Sequence, residues 1–267
     1  MRKSVPIAIV VLLVILGSVW WQFWGEHEPV YQGKSLAKWL EGYVHDPKDY
    51  RPVTEQPQWQ QADAAVRGLG TNAPPTLLRM LRAKDSSFKF TVIRLASKQR
   101  LFNVRYTSAA ELNMRASSAF GSLKENASES VLALIEIYQE NCSEYSQNAV
   151  INALRSIGPT AEMAVPCLIG AANSSNYGIR HNALAALGEI HAHPELAVPV
   201  LTKALHDPDP HVRGAAAIGL RDFGPDAKAA VPALLERLKD KDSYVKDVAV
   251  AALKEIAPEI YLNAGYE

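Results

Sequence analysis

The sequence predicts an all-α solenoid, a stack of repeated helix pairs, with one separate apolar helix near its N-terminus. Two observations predict the stack: four segments align without a gap at a spacing of 33 residues, and the residues that start and stop helices recur in the same register. The aligned segments begin at Gln147, Arg180, Arg213 and Lys246. A third observation, an uncharged run of 20 residues at 5–24, predicts the separate helix.

The first helix of each repeat is predicted from an apolar stripe. Two sets of residues coincide on alignment: Leu154, Leu187, Leu220 and Leu253, then Ile157, Ile190, Phe223 and Ile256. Alanine recurs four residues before the leucine in the last three segments. Offsets of three, four and seven residues place these side chains on one face of an α-helix.

A recurring Ala-Val-Pro triplet predicts the second helix. It occupies 164–166, 197–199 and 230–232, and a leucine follows two residues after each proline. Because proline is tolerated only in the first turn of a helix, we expect the second helix to begin just before it.

Helix ends recur in the same register. Asn176, Asp209 and Asp242 each precede a predicted first helix, where their side chains can accept hydrogen bonds from its free N–H groups. Gly158 and Gly224 follow a first helix, where a positive φ is favoured and glycine adopts it without strain.

Two looser copies, at 59–84 and 113–141, extend the repeat toward the N-terminus. The prediction is therefore a solenoid over 59–258, with five helix pairs and an unpaired sixth first helix. In the tail at 259–267, Tyr261 and Leu262 are expected to cover the exposed end. The preceding 25–58 is interpreted as a linker that holds a short helix at 35–43. Ser35 is expected to cap that helix, which would in turn cover the first repeat.

The pattern at 59–258 resembles the HEAT-repeat superfamily, most closely the short form named after the phycobilisome lyase subunits. The resemblance is carried by Asp-Pro-Asp-Pro-His-Val-Arg at 207–213, by Phe223-Gly224 and by Ala-Val-Pro-Ala-Leu-Leu at 230–235. A weaker likeness, of 31–40, is to HEAT-containing membrane proteins of planctomycete and verrucomicrobial type bacteria. The superfamily implies protein binding along the concave ridge formed by the second helices.

The apolar run at 5–24 is long enough to cross a bilayer as a helix. Arg2 and Lys3 precede it, and Glu26 and Glu28 follow it. The positive-inside rule therefore places 1–4 in the cytoplasm and the repeats outside it, in the periplasm. The favoured interpretation is an uncleaved signal anchor, and the alternative is a cleaved signal peptide.

Two places are predicted to bind a partner. The first is the solvent-facing row of second-helix residues, Arg79, Glu136, Lys203 and Glu236, with Arg237 beside it. The second is an insertion at 88–106 between the first two copies, which carries Lys89, Arg94, Lys98, Arg100 and Arg105. The alternatives are a merely solvated face for the row and, for the insertion, an extra helix packed on the solenoid.

Composition and spacing argue against most chemical functions. The 28 basic and 28 acidic residues balance, which argues against a nucleic-acid partner. Cys142 and Cys167 occupy no metal-binding spacing, and the four histidines between 191 and 211 divide between opposite edges of the repeat. Asp207, Asp209 and Arg213 recur as Asp240, Asp242 and Lys246, which predicts helix caps and an ion-pair ladder between repeats.

The sequence therefore predicts a non-catalytic, monomeric, membrane-tethered scaffold that binds another protein and uses no cofactor. Two alternatives stay open, a subunit of an enzyme related to the bilin lyases and a purely structural spacer, because fold alone does not determine function.

Overall fold

The computed structural model describes residues 28–43, 51–87, 90–91 and 106–263. Contacts divide the chain into two compact units, Met1–Thr76 and Leu77–Glu267, which are described separately. The regular secondary structure of the described residues is helical apart from one short hairpin, which confirms the all-α class. None of their helices is long and apolar enough to cross a membrane. The predicted signal anchor at 5–24 lies outside the described residues.

The first unit begins with a hairpin of two short antiparallel strands, β1 (Val30–Tyr31) and β2 (Lys34–Ser35). Helix α1 (Leu36–Leu40) follows directly, then a 3-10 turn at Val53–Glu55 and helix α2 (Pro57–Leu69). Within the predicted linker at 25–58, the structure forms this hairpin besides the expected short helix, and the hairpin and α1 both contact α2. Two-residue strands leave no alternating pattern that the sequence could reveal.

Helix α1 is shorter than predicted and is capped differently. The side chain of Ser35 makes no capping hydrogen bond, and the Glu28 Oε1 atom instead accepts from the backbone N–H of Ala37 at 2.5 Å. A carboxylate at a helix N-terminus also interacts favourably with the helix dipole. Leu36, Leu40 and Tyr43 are buried.

The second unit contains the ordered repeats. Its first helices are α4 (Ala109–Leu123), α6 (Glu144–Ile157), α8 (Tyr177–Ile190), α10 (Pro210–Phe223) and α12 (Ser243–Ile256). Its second helices are α5 (Val131–Gln139), α7 (Val165–Ala171), α9 (Pro194–Ala204) and α11 (Val231–Arg237). Helix α3 (Pro74–Leu81), the second helix of the first copy, lies at the junction of the two units, and α13 (Pro258–Asn263) follows α12.

Packing between consecutive repeats builds this unit. Each first helix contacts the first helix of the next repeat, and each second helix also packs on the following first helix. The aligned leucines and the isoleucines or phenylalanine three residues later form the core, and all are at most 2% exposed. Each repeat thus buries its apolar stripe against its neighbours, which is the packing of a solenoid.

The predicted helix ends are confirmed. Asn176, Asp209 and Asp242 each accept a hydrogen bond from a backbone N–H in the first turn of the following helix. Gly158 and Gly224 have φ of +75° and +51°. The short segments after them, Gly158–Ala164 and Gly224–Ala230, are 3-10 helices that lead directly into α7 and α11.

Two local predictions were wrong. Pro199 lies inside α9, which begins five residues earlier at Pro194, because the segment before it is α-helical where the other repeats have a 3-10 turn. At the C-terminal end Tyr261 is 7% exposed and covers the core as predicted, but Leu262 is 69% exposed and does not.

Candidate functional site

The second helices of the repeats present one continuous surface, which we call the second-helix face. Two positions of each second helix line it, three residues apart. The earlier position holds Leu132, Pro166, Pro199 and Pro232, all exposed. It falls in the first turn of α5, α7 and α11 but inside α9. The later position holds Ile135, Ile169, Thr202 and Leu235, all half-buried. Seven of these eight side chains are apolar, so the face carries an apolar band along the array.

The predicted partner-binding row lies beside this band, one residue after the later position. Glu136, Lys203 and Glu236 are exposed there, as expected, whereas Arg79 and Arg237 are half-buried. The row therefore borders the apolar band on the side of the second-helix C-termini.

Side chains of this row interact with the neighbouring repeat. Lys203 Nζ donates to the Asn173 Oδ1 atom at 3.4 Å, and His206 Nε2 lies 3.3 Å from the Glu236 Oε2 atom. In both contacts, a residue just after the end of one second helix interacts with the row residue of the next second helix. Because the side chains of His206 and Glu236 are 54% and 62% exposed, such a pair contributes little to stability and stays accessible to a partner.

Arg237 is held by its surroundings more firmly than the rest of the row. Its Nη1 atom donates to the Leu205 backbone oxygen at 3.2 Å and lies 3.5 Å from the Asp240 Oδ2 atom. Its Nη2 atom donates to the Glu236 Oε2 atom at 3.4 Å. The guanidinium therefore links the ends of two consecutive second helices.

An ion-pair ladder runs along the turns between repeats, as the recurrence of charges predicted. The Arg180 guanidinium donates to both carboxylate oxygens of Asp207, from Nε at 2.8 Å and from Nη2 at 2.9 Å. Arg213 repeats this geometry on Asp240 at 2.9 and 2.8 Å. The third guanidinium nitrogen of each arginine donates to two backbone carbonyl oxygens of the preceding turn.

The ladder lowers the pKa of both aspartates. Burial is the largest single influence on the Asp207 carboxyl and raises its pKa. The hydrogen bonds from Arg180 and from the Asp209 backbone N–H, together with the positive charges of Arg180 and Arg213, outweigh it, so the pKa is lowered. The pKa of Asp240 is lowered against its own burial in the same way, by Arg213 and by the Asp242 backbone N–H. These carboxylates are structural, which removes them as candidates for acid–base chemistry.

An open depression of about 360 Å³ lies where the ladder meets the charged row. Charged side chains and one histidine line it: His206, Asp207, Arg213, Glu236, Arg237, Lys239, Asp240 and Lys241. Lys239 and Lys241 are exposed and form no ion pair with any residue in the described ranges. The two aspartates are already paired with ladder arginines, so the depression offers cations to a ligand.

The basic insertion can be described only at its base. Its five predicted partner-binding residues, Lys89, Arg94, Lys98, Arg100 and Arg105, lie outside the described residues. Asp85 accepts a hydrogen bond from the Tyr106 hydroxyl and another, at 3.0 Å, from the backbone N–H of Ala109. Burial, together with the hydrogen bond to Asp85, raises the pKa of Tyr106 to about 12. Asp85 thus ties the two ends of the insertion together.

Metal-binding and thiol chemistry find no support in the described part of the chain. No group of three or more His, Cys, Asp or Glu side chains there could hold a metal ion. His191 instead stacks on Phe223, with ring centroids 4.8 Å apart. Cys142 and Cys167 are both free, and burial raises the pKa of the Cys167 thiol to about 11.

The apolar band was not predicted from the sequence, although the recurring prolines indicate it. The prolines at 166, 199 and 232 were interpreted only as helix starts, yet they also leave the same exposed apolar position on successive helices. The free lysines at 239 and 241 were missed because they lie outside the row of recurring positions.

Comparison with known protein families agrees with this architecture over part of the chain. Residues 191–254 match the family model described as HEAT repeats. This range contains α9, α10 and α11 and most of α12, together with part of the ladder. A comparison with curated proteins finds no match.

Several solved structures match this chain, and the three described next are designed or engineered proteins. A designed armadillo-repeat protein in complex with the peptide (KR)4 is 15% identical, covers 82% of this chain and 98% of its own, and has a TM-score of 0.49. An engineered protein is 18% identical over 84% of this chain and 98% of its own, with a TM-score of 0.47. Computationally designed armadillo-repeat proteins for modular peptide recognition are 17% identical over 83% and 99%, with a TM-score of 0.43.

Proposed function

We propose that this HEAT-repeat protein is a non-catalytic scaffold that binds another protein on its second-helix face. The observation that carries the proposal is the apolar band, in which seven of eight positions on four successive second helices are apolar and accessible. Scattered exposed apolar residues are normal on soluble proteins, whereas a contiguous patch rimmed by charge is typical of an interaction site.

The location of the band also supports a binding role. Packing between repeats already buries the apolar stripes of the first helices, so the band is not needed to complete the core. Its residues lie on rigid helices at a regular spacing, which positions a row of contacts for an elongated partner.

The test is affinity capture with a matched pair of double variants. Leu132→Glu with Pro232→Glu places two acids in the band at the first turns of α5 and α11, where acidic residues are well tolerated. The control, Tyr145→Glu with Tyr177→Glu, makes the same kind of change at exposed tyrosines in the first turns of α6 and α8. We expect a protein captured by the wild type and by the control to be lost from the band variant. A set of captured proteins unchanged by the band variant would overturn the proposal.

We further propose that residues 5–24 anchor the protein in a membrane with the repeats outside the cytoplasm. The support is the length of the uncharged run and the placement of Arg2 and Lys3 before it and Glu26 and Glu28 after it. A phosphatase reporter fused after Glu267 should be active if the repeats are exported. An inactive fusion that is present at normal levels would contradict this placement.

A further inference from the structure

The charge at the C-terminal ends of the second helices changes along the array. Glu136 and Glu140 are exposed at the end of α5, whereas basic side chains collect at the ends of the last two second helices. There Lys203, Lys239 and Lys241 are exposed and Arg237 is half-buried, and we call this set the basic border. The helix dipole favours cations at these C-terminal ends. A partner lying on the last two repeats of the band therefore meets basic side chains on this side.

The basic border has a surplus of charge that the protein does not neutralise itself. Glu236 is the exposed acid among these residues, and it is shared between His206 and Arg237. Asp207 and Asp240 already form ion pairs with Arg180 and Arg213 in the ladder. Lys239 and Lys241 line the depression of about 360 Å³, and neither forms an ion pair with an acid in the described part of the protein.

From these two observations we infer the chemistry of the partner, an inference that rests on the proposed binding function of the band. The partner is a peptide segment that places apolar side chains on the band and acidic side chains at the basic border, next to Lys239 and Lys241. A segment with basic residues on that side would meet uncompensated like charge, which is costly at an interface. The depression is large enough to admit a carboxylate side chain between the two lysines and Arg237.

The apolar band sets a second requirement on this segment. The band near the depression consists of Pro199, Pro232 and Leu235, with Thr202 as the polar member. Two exposed prolines keep the surface rigid and offer no N–H group, so recognition there depends on apolar contact. An acidic segment without apolar residues would therefore bind only weakly and would be released by salt, because exposed ion pairs contribute little and are screened.

Selection from a displayed library of random 12-residue peptides tests the inference with a defined probe. We expect enriched sequences to combine apolar residues with Asp or Glu. Synthetic peptides from that set should bind the Lys239→Glu, Lys241→Glu double variant about tenfold more weakly than the wild type, because both attractions become repulsions. The matched control is Lys254→Glu, an exposed lysine on the first helix α12 and not on the second-helix face, which should leave the affinity unchanged.

The outcomes separate this inference from the proposed function. Peptides that are basic or neutral, or that ignore the Lys239→Glu, Lys241→Glu change, overturn the inference. If their binding is still lost in the Leu132→Glu, Pro232→Glu variant, the proposed function stands. If no peptide is enriched, or if the band variant binds every peptide as well as the wild type, the proposed function fails as well. Binding of the wild type to phosphatidylserine vesicles with the same lysine dependence would point to a lipid surface and would also overturn the inference.

Discussion

The guanidinium of Arg213 forms two parallel hydrogen bonds with the carboxylate of Asp240, from Nε to Oδ2 at 2.9 Å and from Nη2 to Oδ1 at 2.8 Å. The same arginine donates from Nη1 to the backbone oxygens of Asp207 and Pro208, at the start of its own repeat. One side chain therefore connects the turn before a first helix with the turn at the end of the same repeat. Arg180 does the same one repeat earlier, on Asp207.

Removing one partner of this ladder should destabilise the array strongly. The Asp240 side chain is only 3% exposed, so Arg213→Ala leaves a buried carboxylate without its main partner. We expect a loss of about 3 kcal/mol in the free energy of unfolding, measured by urea denaturation. Lys239→Ala, one residue from Asp240 but exposed and outside the ladder, should change it by less than about 0.5 kcal/mol. Equal effects for the two variants would contradict the structural role of the ladder.

The ladder should also make stability depend on acid pH. The pKa of both Asp207 and Asp240 is lower in the folded protein than their ordinary value. A group with a lowered folded pKa contributes stability that is fully present above its unfolded pKa, near 3.9, and lost as pH falls through the folded value. Urea denaturation between pH 7 and pH 3 should therefore show a falling free energy of unfolding below about pH 4.

The Asp240→Asn variant provides the check on that assignment. It should be less stable than the wild type at pH 7, because the charge on Arg213 loses its partner, and its stability should fall less steeply below about pH 4. A variant with the same acid dependence as the wild type would show that other carboxyl groups are responsible.

Recurrence explains how much of this arrangement could be predicted from the sequence. Caps such as Asp209 are local, since the side chain bonds N–H groups two and three residues away, and their type and position suffice to predict them. The ladder was predictable in kind because its charges recur every repeat. The hairpin at 30–35 and the cap by Glu28 were not, because each occurs once. The strands are too short to show an alternating pattern, and the capping carboxylate lies nine residues before the N–H group that it accepts from.

Close packing of consecutive first helices gives a prediction about glycine. A Cβ added at Gly188 in α8 would lie 2.7 Å from the Gly219 Cα atom in α10, too close for any real contact. Gly188→Ala should therefore push these helices apart. Overpacking of this kind costs about 1–3 kcal/mol, which exceeds the gain of about 1 kcal/mol that alanine brings to a helix interior.

Gly121 in α4 occupies the equivalent position of an earlier repeat and provides the control. A Cβ there would meet the Ser156 Oγ atom at 3.6 Å, which is an ordinary contact. Gly121→Ala should therefore raise the thermal unfolding midpoint, while Gly188→Ala should lower it. If both substitutions stabilise the protein, the helices in question are not in close contact.

Lys124 gives the last prediction, because it adopts a backbone conformation that glycine has in other repeats. Its φ and ψ are +48° and −130°, and the equivalent Gly224 has +51° and −131°. A side chain in this region is strained, and Lys124 is exposed, so its side chain has little packing to lose. Lys124→Gly should therefore stabilise the protein by about 1 kcal/mol, seen as a higher thermal midpoint.

His191→Gly, at the equivalent position of another repeat, is the contrasting variant, since His191 lies in the left-handed helical region and stacks on Phe223. Its substitution should bring less gain or a net loss, and a larger gain there than at Lys124 would contradict the strain argument.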